Sequence, residues 1–418
     1  MFCSSCLTNT SKYRLSERHS CTGRSTWWRQ IRVPVELGSQ QPGTRAARCA
    51  VSSTTRRFAM QVTGVRDARD GKPTSPKAFP WLQFVKYEGL GNDFILVDQR
   101  KCAWPEVDTA QAVRLCDRHR GIGADGVILL LPAISSGADF RVRIVNADGS
   151  EPEMCGNGIR CVAKYAVDVC NDSAAGPNEA STFGDGALSI ETGAGYIRPR
   201  VLSDGRVCVD MGPPILDPQC VPTTLPGSRR IADVKAAVEV PLDGSTAEDI
   251  AAARLPLPPP ECCGASEFVW RCTAVSMGNP HCVIFVDQKT FAWVDANLER
   301  IGPMFETHHC FPRRTNTEFI EVCGPRDLRM SVWERGAGRT MACGTGACAA
   351  VVAATISGRI PSQGAGASGD PVSADACVVH LPGGDLEIYW SPENRHVYMT
   401  GPANFVYRGE CLLESSSL

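Results

Sequence analysis

The sequence predicts an α+β protein built from two similar halves that follow a basic leader. Three observations support this prediction. From Trp81 onward, segments with strand periodicity alternate with segments with helical periodicity. The composition, 43% hydrophobic and 21% charged residues, is that of a globular protein rather than a disordered or collagen-like one. Several short motifs also occur twice, at nearly equal spacing.

The leader is residues 1–78, which carry 14 Lys and Arg against 4 Asp and Glu, together with 19 Ser and Thr. The rest of the chain has 29 basic and 41 acidic residues. A segment rich in Arg and Ser and poor in acids is typical of an organelle transit peptide, and no apolar core of a secretory signal follows the start. A basic tail that binds nucleic acid is the alternative. We predict targeting, with the folded part starting near Phe79–Trp81.

The 21 cysteines form no disulfide framework in this interpretation. Their number is odd, their spacing is irregular and the chain is long, whereas disulfide frameworks belong to short secreted chains. Cys3 and Cys6 have the spacing of a redox or zinc site, but they lie in the leader and have no second pair, so we do not interpret them as a site. No apolar run reaches the ~20 residues that span a bilayer, and the acidic body argues against nucleic-acid binding. We therefore expect reduced thiols and neither a membrane nor a nucleic-acid partner.

Periodicity places the regular elements of the two halves. The clearest predicted strands are Phe94–Val97, Phe140–Val145, His281–Val286 and Leu328–Trp333. Helices are predicted at Gln111–Arg120 and directly after Cys155 and Cys343. Pro/Gly/Ser-rich loops are predicted at Asn171–Gly186, Leu255–Pro260 and Pro361–Ala376.

The internal repeat relates four markers in each half: a turn, a polar residue (Asn146 or Glu334) that ends a strand nine residues before a cysteine, the cysteine motif itself, and a polar loop after the helix that follows. A Leu-Gly-Asn turn at Asn92 matches a Met-Gly-Asn turn at Asn279, and each precedes a strand. Cys155 follows the first turn by 63 residues, and Cys343 follows the second by 64. Each cysteine opens a Gly-x-Gly segment and then an apolar helix. The economical interpretation is a duplication.

The position of the two cysteines indicates a chemistry. A sulfur at a helix N-terminus faces free N–H groups that favour its thiolate, and the same amides can hold a carboxylate. If the halves face each other, one thiolate can remove a proton from an α-carbon while the opposing thiol delivers another. A hydrolase would need only one cysteine, so the duplication favours inversion of a stereocentre.

Seven segments taken together, in order along the chain, resemble the diaminopimelate epimerase family across Trp81–Leu412. The matching segments are Gly89–Phe94, Asn146–Ser150, Met154–Cys161, Gly278–His281, Arg314–Asn316, Glu334–Gly338 and Ala342–Cys348.

The resemblance implies two pseudo-symmetric domains, each a curved, mainly antiparallel sheet around a central helix. It implies halves at residues 79–210 and 211–399, with residues 400–412 completing the first half and 413–418 forming a tail. It further implies conversion of LL-2,6-diaminoheptanedioate to the meso form in lysine biosynthesis, without pyridoxal phosphate or metal. A plastid location follows by analogy, and a homodimer is left open.

The resemblance also assigns the site. Cys155 and Cys343 would be the acid–base pair, and Glu334 would accept the substrate ammonium and, with His281, tune the pKa values of the thiols. The amides of Gly156, Asn157, Gly344 and Thr345 would hold the carboxylate at the reacting centre. The distal end of the substrate would be bound by Asn92, Asn146, Asn279, Asn316 and Arg335. For the asparagines a turn role, and for His281 a packing role, is the alternative.

Other interpretations remain open or are set aside. The chain could be a related racemase for proline or hydroxyproline, a thiol–disulfide redox protein using Cys155 and Cys343, or a non-catalytic amino-acid sensor. Gly121–Gly126 fits the dinucleotide fingerprint formally, but it follows a helix and precedes a strand, the reverse of the required order. Some relatives carry a glutamine where this chain has Gly126. His308-His309-Cys310 has no partner pair at ligand spacing and is expected to be a solvated helix end.

Overall fold

The computed structural model of this 418-residue chain describes residues 81–100, 106–152, 154–171, 188–242, 255–263, 268–364 and 375–413. The leader lies outside the described residues, and so do most of the predicted loops Asn171–Gly186 and Pro361–Ala376. Strands outnumber helices, and parallel and antiparallel pairs are mixed, so the predicted α+β class is confirmed.

The strands are β1 (Trp81–Gly89), β2 (Asn92–Asp98), β3 (Gly126–Leu131), β4 (Phe140–Asn146), β5 (Ile190–Thr192), β6 (Gly195–Ile197), β7 (Arg200–Val201), β8 (Val207–Asp210), β9 (Arg229–Ile231), β10 (Val234–Ala236), β11 (Val240–Pro241), β12 (Arg271–Ser276), β13 (Pro280–Val286), β14 (Asn316–Gly324), β15 (Asp327–Glu334), β16 (Gly338–Arg339), β17 (Cys377–Leu381), β18 (Gly384–Trp390), β19 (Val397–Gly401) and β20 (Asn404–Leu412). The helices are α1 (Thr109–Cys116), α2 (Gly156–Asn171), α3 (Pro260–Cys263), α4 (Gln288–Glu306) and α5 (Gly344–Ser357).

Two large sheets organise these strands. The first has seven strands in the order β20-β1-β2-β3-β4-β5-β6. The second has eleven, in the order β11-β12-β13-β14-β15-β17-β18-β19-β8-β7, with β16 paired to β15. Strand β20, near the end of the chain, pairs antiparallel with β1 at the edge of the first sheet. The domain boundaries drawn from the sequence stay a prediction.

The two halves repeat one topology. In the first, β1 pairs antiparallel with β2, β2 parallel with β3, β3 antiparallel with β4 and β4 parallel with β5. In the second, β12, β13, β14, β15 and β17 follow the same sequence of directions. Helix α2 lies between β4 and β5 along the chain, and α5 lies between β15 and β17. A shared pattern of parallel and antiparallel pairs supports the duplication inferred from the motifs.

The repeated turns place two asparagines at strand starts. Leu90 and Gly91 both have positive φ and close the hairpin between β1 and β2, so that Asn92 begins β2. Such a two-residue turn matches the twist of the flanking strands. Burial of Leu90, which is only 3% exposed, offsets the cost of its left-handed backbone. Gly278 has the corresponding positive φ in the turn that precedes β13 and His281.

Helix α1 is shorter than predicted. The sequence suggested Gln111–Arg120, whereas the helix spans Thr109–Cys116 and begins at an Asp108–Gln111 capping box. It ends early because the Asp117 carboxylate accepts hydrogen bonds from the backbone N–H groups of His119 and Arg120. An aspartate that bonds its own downstream backbone favours a turn over continued helix. Gly121–Gly126 then leads into β3, in the order predicted.

Opposite faces of the second sheet carry different helices. Val275, Val283 and Ile320 share one buried cluster with α5, whereas Cys272, Ile284 and Phe319 share another with α4. Successive side chains of a strand point to opposite faces, so these two sets follow from the pleat. Because α5 is enclosed by the sheet, nearly all its residues are buried. Residues on the α5 face of β13 and β14 therefore point toward the helix that Cys343 begins.

Candidate active site

Both predicted cysteines stand at helix N-termini. Cys155 directly precedes α2, and its sulfur faces the backbone N–H groups of Asn157 and Gly158. Cys343 is the N-cap of α5, and its Sγ accepts a hydrogen bond from the Gly346 N–H at 3.4 Å. The free N–H groups and the positive end of the helix dipole favour a thiolate at each position. The helix-terminal placement inferred from the sequence is thus confirmed.

The two helix starts meet at Met399 of β19. A Cβ atom added to Gly156 would lie 2.8 Å from the Met399 Cε, and one added to Gly344 would lie 2.8 Å from its Sδ. A Cβ atom at either glycine would therefore displace the end of this one fully buried side chain. Asn157 makes a second connection, since its Nδ2 donates to the carbonyl of Ala342 at 3.3 Å. The residue two positions after Cys155 thereby binds the residue directly before Cys343.

Burial and nearby carboxylates oppose ionisation of both thiols. Burial raises the pKa of the Cys155 thiol, and Glu334 raises it further, while the Asn157 and Gly158 amides and Arg160 lower it. Burial, Glu334 and Glu318 together hold the pKa of Cys343 well above its usual range, against the lowering effect of Thr345 and Gly346. Burial and these carboxylates therefore act against the helix-terminal N–H groups, which favour the thiolate at each sulfur.

The charge of Glu334 influences the cysteines of both halves. It ends β15, and its Oε1 accepts a hydrogen bond from the Thr340 hydroxyl. Burial raises the pKa of the Glu334 carboxyl, whereas hydrogen bonds from Thr340 and Cys343 lower it. Its charge acts on Cys155 as well as on Cys343. The charge of one carboxylate thus raises the pKa of both thiols, and its assignment as the residue that tunes them stays a prediction.

His281 is fully buried rather than open to a cleft. Its Nδ1 lies 2.7 Å from Glu318 Oε1, and its Nε2 lies 2.9 Å from Asn279 Oδ1. Asn279 in turn donates from Nδ2 to the Thr345 hydroxyl at 3.3 Å. The oxygen of that hydroxyl lies 3.5 Å from Cys343 Sγ. Glu318 was not singled out in the sequence. The available signal was an acid directly before the apolar Phe319 and Ile320 of β14.

The remaining predicted polar residues fall into two groups. Asn92 donates to Asp125 at 2.8 Å and accepts from Asn157 at 3.3 Å, so it adjoins the Cys155 side. Asn146 ends β4 and donates to the Ser150 hydroxyl. On the other side, Asn316 donates to the Pro280 carbonyl and accepts from the Arg335 backbone N–H at 2.9 Å.

The Arg335 side chain is exposed, with Nη1 on the Arg313 carbonyl. Gly126, the position at which some relatives carry a glutamine, is buried on β3 opposite Asn146. A Cβ there would approach the Val145 carbonyl to 3.0 Å. The glutamine that some relatives carry at this position would not fit this backbone without a shift.

Arg160 is a second residue that the sequence did not reveal. It lies one turn into α2, is fully buried and has no carboxylate within 4 Å among the described residues. Its guanidinium donates to the Pro402 carbonyl at 3.1 Å, to Asn157 Oδ1 at 3.0 Å and to Met399 Sδ at 3.7 Å. Burial lowers the pKa of this arginine. A positive charge is thus held directly behind the Cys155 loop.

One group of metal-type side chains occurs within the described part of the chain, at His308-His309-Cys310. Its three possible ligand atoms lie within 4.8 Å of one another. Contrary to the expected solvated helix end, His308 and Cys310 are buried and only His309 is exposed. Burial lowers the pKa of His308 to about 4. Among the described helices, none is both long and apolar enough to cross a membrane.

Solved structures define the class of fold. A hydroxyproline epimerase from Agrobacterium vitis superposes with a TM-score of 0.51 at 15% identity, over 80% of this chain and 94% of the other. A probable proline racemase from Agrobacterium radiobacter K84 gives a TM-score of 0.51 at 14% identity, over the same shares of the two chains. At this identity the likeness concerns the fold alone. The chain has the fold of these two proteins, a hydroxyproline epimerase and a probable proline racemase.

Sequence comparison then identifies the family. The family model described as diaminopimelate epimerase matches residues 84–216 and 273–406. Diaminopimelate epimerase of Synechocystis sp. is 49% identical over 331 residues, 79% of this chain and 98% of the relative. The chloroplastic diaminopimelate epimerase of Oryza sativa subsp. japonica is 47% identical over 333 residues, 79% of this chain and 80% of the relative. The chain belongs to the diaminopimelate epimerase family.

Proposed function

We propose that this chain is an isomerase that converts LL-2,6-diaminoheptanedioate to the meso form, as a step of lysine biosynthesis. The observation that carries the proposal is the meeting of two cysteine-led helix N-termini at Met399 and through the Asn157–Ala342 hydrogen bond. Family membership supplies the substrate. Neither pyridoxal phosphate nor a metal is needed in this scheme.

The reaction is a proton exchange at one α-carbon. One thiolate of the Cys155–Cys343 pair removes the α-proton and becomes a thiol, and the electron pair left on carbon delocalises into the carboxylate. The thiol on the opposite face then gives its proton to that carbon and becomes a thiolate. The amides of Gly156, Asn157, Gly344 and Thr345 stabilise the charge on the carboxylate, as preorganised N–H donors do in acyl-transfer enzymes.

Polar residues around this centre hold the rest of the substrate. Glu334 accepts the ammonium of the reacting centre and raises the pKa of both thiols. In the proposal, Asn92, Asn146, Asn279, Asn316 and Arg335 bind the distal amino-acid end. Arg335 suits a distal carboxylate because a guanidinium can bind it through two hydrogen bonds. The complete burial of His281 supports a role through Asn279 rather than by contact with substrate.

The experiment that tests the function is incubation of the reduced protein with LL-diaminopimelate in deuterated water, with no cofactor added. Deuterium should enter one α-carbon, and meso product should accumulate. Cys155→Ala and Cys343→Ala should each lower turnover by ~10²–10⁴-fold or more, as expected for loss of a general acid–base group. Cys161→Ala and Cys348→Ala are matched controls, because these buried thiols lie further along the same helices. Absence of deuterium would remove the assignment.

The same assay separates the alternatives. Turnover of L-proline or trans-4-hydroxy-L-proline in place of diaminopimelate would favour the racemase class that shares the fold. Disulfide exchange by a Cys343→Ser variant that has lost epimerisation would favour the redox interpretation. Binding of diaminopimelate without deuterium exchange would favour a sensor.

Location and assembly extend the proposal. The basic, acid-poor composition of residues 1–78 and the chloroplastic rice relative support import into the plastid stroma and removal of the leader. Fusion of residues 1–78 to a fluorescent protein should direct it to plastids, and accumulation in mitochondria would contradict this. A homodimer is the proposed assembly, which light scattering of the purified chain would test.

A further inference from the structure

A chain of hydrogen bonds connects Glu318 to the sulfur of Cys343. It runs from the Glu318 carboxylate through the His281 ring, the Asn279 amide and the Thr345 hydroxyl. Glu318 and His281 are both 0% exposed, so water does not compete with their contact. Glu318 lies on the face of β14 that is turned toward α5, where only a glycine at 346 leaves room for it.

Each link of the chain has a direction. An amide oxygen can only accept, so His281 Nε2 carries the hydrogen in its contact with Asn279 Oδ1. The Asn279 nitrogen can only donate, so the Thr345 oxygen accepts from it. The hydroxyl hydrogen of Thr345 is therefore available to Cys343 Sγ. The direction depends on a protonated His281 Nε2.

Glu318, the partner of His281 Nδ1, determines whether Nε2 carries a hydrogen. Glu318 Oε1 is 2.7 Å from Nδ1, so one proton is held between the two atoms. The direction at Nε2 is the same whichever of the two atoms carries that proton. Glu318 Oε2 has no hydrogen-bond partner among the described residues, so His281 is the group that compensates the carboxylate. Without Glu318, a neutral His281 could carry its hydrogen on Nδ1, and Asn279 would have to rotate.

We propose that Glu318 is a positioning residue that fixes the direction of this hydrogen-bond chain, so that Thr345 donates its hydroxyl hydrogen to the sulfur of Cys343. The acceptor that gains most from this donor is the thiolate. Consistently, the Thr345 hydroxyl and the Gly346 N–H both lower the pKa of Cys343. Because Glu318 acts through Cys343, its role rests on the acid–base function proposed above.

A simple field effect predicts the opposite sign. The charge of Glu318 by itself raises the pKa of Cys343, as the charge of Glu334 on β15 also does. Cys282 on β13 is the further titratable group that feels Glu318, and burial with Cys272 keeps its own pKa high. If Glu318 acted only by its charge, its removal would make Cys343 ionise more easily. If it directs the chain, removal makes Cys343 ionise less easily.

The test measures iodoacetamide alkylation of Cys343 against pH, on the full chain without substrate and with peptides separated by mass spectrometry. Glu318→Met should move the alkylation curve to higher pH and slow the reaction at pH 7 by about tenfold, the factor that one pKa unit gives. Glu318→Gln should retain most of the wild-type curve, because its amide can donate to Nδ1 and leave the hydrogen on Nε2. Thr345→Val should match Glu318→Met, and Thr345→Ser should match the wild type.

Controls separate this role from a general loss of structure. Glu321→Met removes another largely buried acid of β14, paired with Arg329, and should leave the Cys343 curve in place. The double variant Glu318→Met/Thr345→Val should shift the curve no further than Thr345→Val alone. An unchanged or lowered alkylation pH in Glu318→Met, or equal shifts in Glu318→Met and Glu318→Gln, would overturn the proposal. Because no turnover is measured, this result is independent of the deuterium experiment.

Discussion

Arg160 provides the most demanding prediction. It is a buried arginine with no carboxylate within 4 Å in the described part of the chain, and burial of such a charge is costly. Its guanidinium is the hydrogen-bond donor for the Pro402 carbonyl and for Asn157 Oδ1. Arg160→Met fills the space with an apolar side chain but leaves both oxygens without this donor. The Asn157 oxygen is buried, and a buried unpaired oxygen costs about 1–3 kcal/mol, whereas the part-buried Pro402 carbonyl should cost less. Removal of an isolated buried cation offsets part of that cost. We expect a net loss of about 2 kcal/mol in the free energy of unfolding.

The same substitution should change Cys155. The positive charge of Arg160 lowers the pKa of the Cys155 thiol. In Arg160→Met that charge is lost, and the alkylation of Cys155 should therefore require higher pH. Urea unfolding gives the stability from the midpoint at constant slope. Arg339→Met is the matched control, because its ion pair with Asp295 is exposed and should contribute less than about 1 kcal/mol.

Two results together would refute this account of Arg160. One is an unfolding midpoint equal to that of the wild type, which would mean that the two oxygens find other donors at no cost. The other is an unchanged alkylation curve for Cys155, which would mean that the guanidinium charge does not reach the sulfur. Asn157→Ala should reproduce part of the stability loss, since Asn157 joins Arg160 to the Ala342 carbonyl.

Three further changes probe the same site and its support. Glu334→Gln should let Cys343 alkylate at lower pH, because a charge that raises its pKa is removed, while epimerisation falls in the deuterium assay. Gly346→Ala should abolish turnover, since its Cβ would lie 2.8 Å from Glu318 Oε1 and 3.2 Å from the Cys343 sulfur; full activity would contradict the packing described. For Asp93, burial raises the pKa, but its ion pairs with Arg118 and Lys86 lower it to about 2. This depressed value stabilises the fold above pH ~4, and the contribution is lost as pH falls toward 2, so Asp93→Asn should cost about 2 kcal/mol at pH 7 and little at pH 2, measured by urea unfolding.

Sequence patterns predicted the parts of the fold that repeat. Apolar–polar alternation located β4 and β15, and the glycine-rich segments after Cys155 and Cys343 located the starts of α2 and α5. These features are local, so a single sequence contains them. The early end of α1 was missed because the hydrogen bonds of Asp117 compete with the helix at a position where periodicity still continued. Helix α4 was not predicted, although Asp287 provides its N-cap.

The supporting residues of the site could not be inferred in the same way. Glu318 is separated from His281 by 37 residues, and Arg160 is separated from Pro402 by 242. In a strand or helix considered alone, each charge is typical of a solvated position, because the burial of a charge depends on what packs over it. The burial of these charges becomes visible only in the folded chain, where β14 pairs with β13 and Arg160 of α2 contacts Pro402.

The two sulfurs occupy equivalent places in a duplicated topology but experience different charges. The charge of Arg160 lowers the pKa of Cys155, and the charge of Glu334 raises it. For Cys343, the charges of Glu334 and Glu318 both raise the pKa. Because a nearby cation favours a thiolate and nearby anions disfavour it, Cys155 should ionise first. Once one sulfur ionises, the pair is then a thiolate at Cys155 and a thiol at Cys343, which is the state needed to remove a proton on one face and deliver one on the other. Peptide-resolved alkylation across pH should show Cys155 reacting at lower pH than Cys343, and the reverse order would mean that the helix termini, rather than these charges, decide which sulfur is ionised.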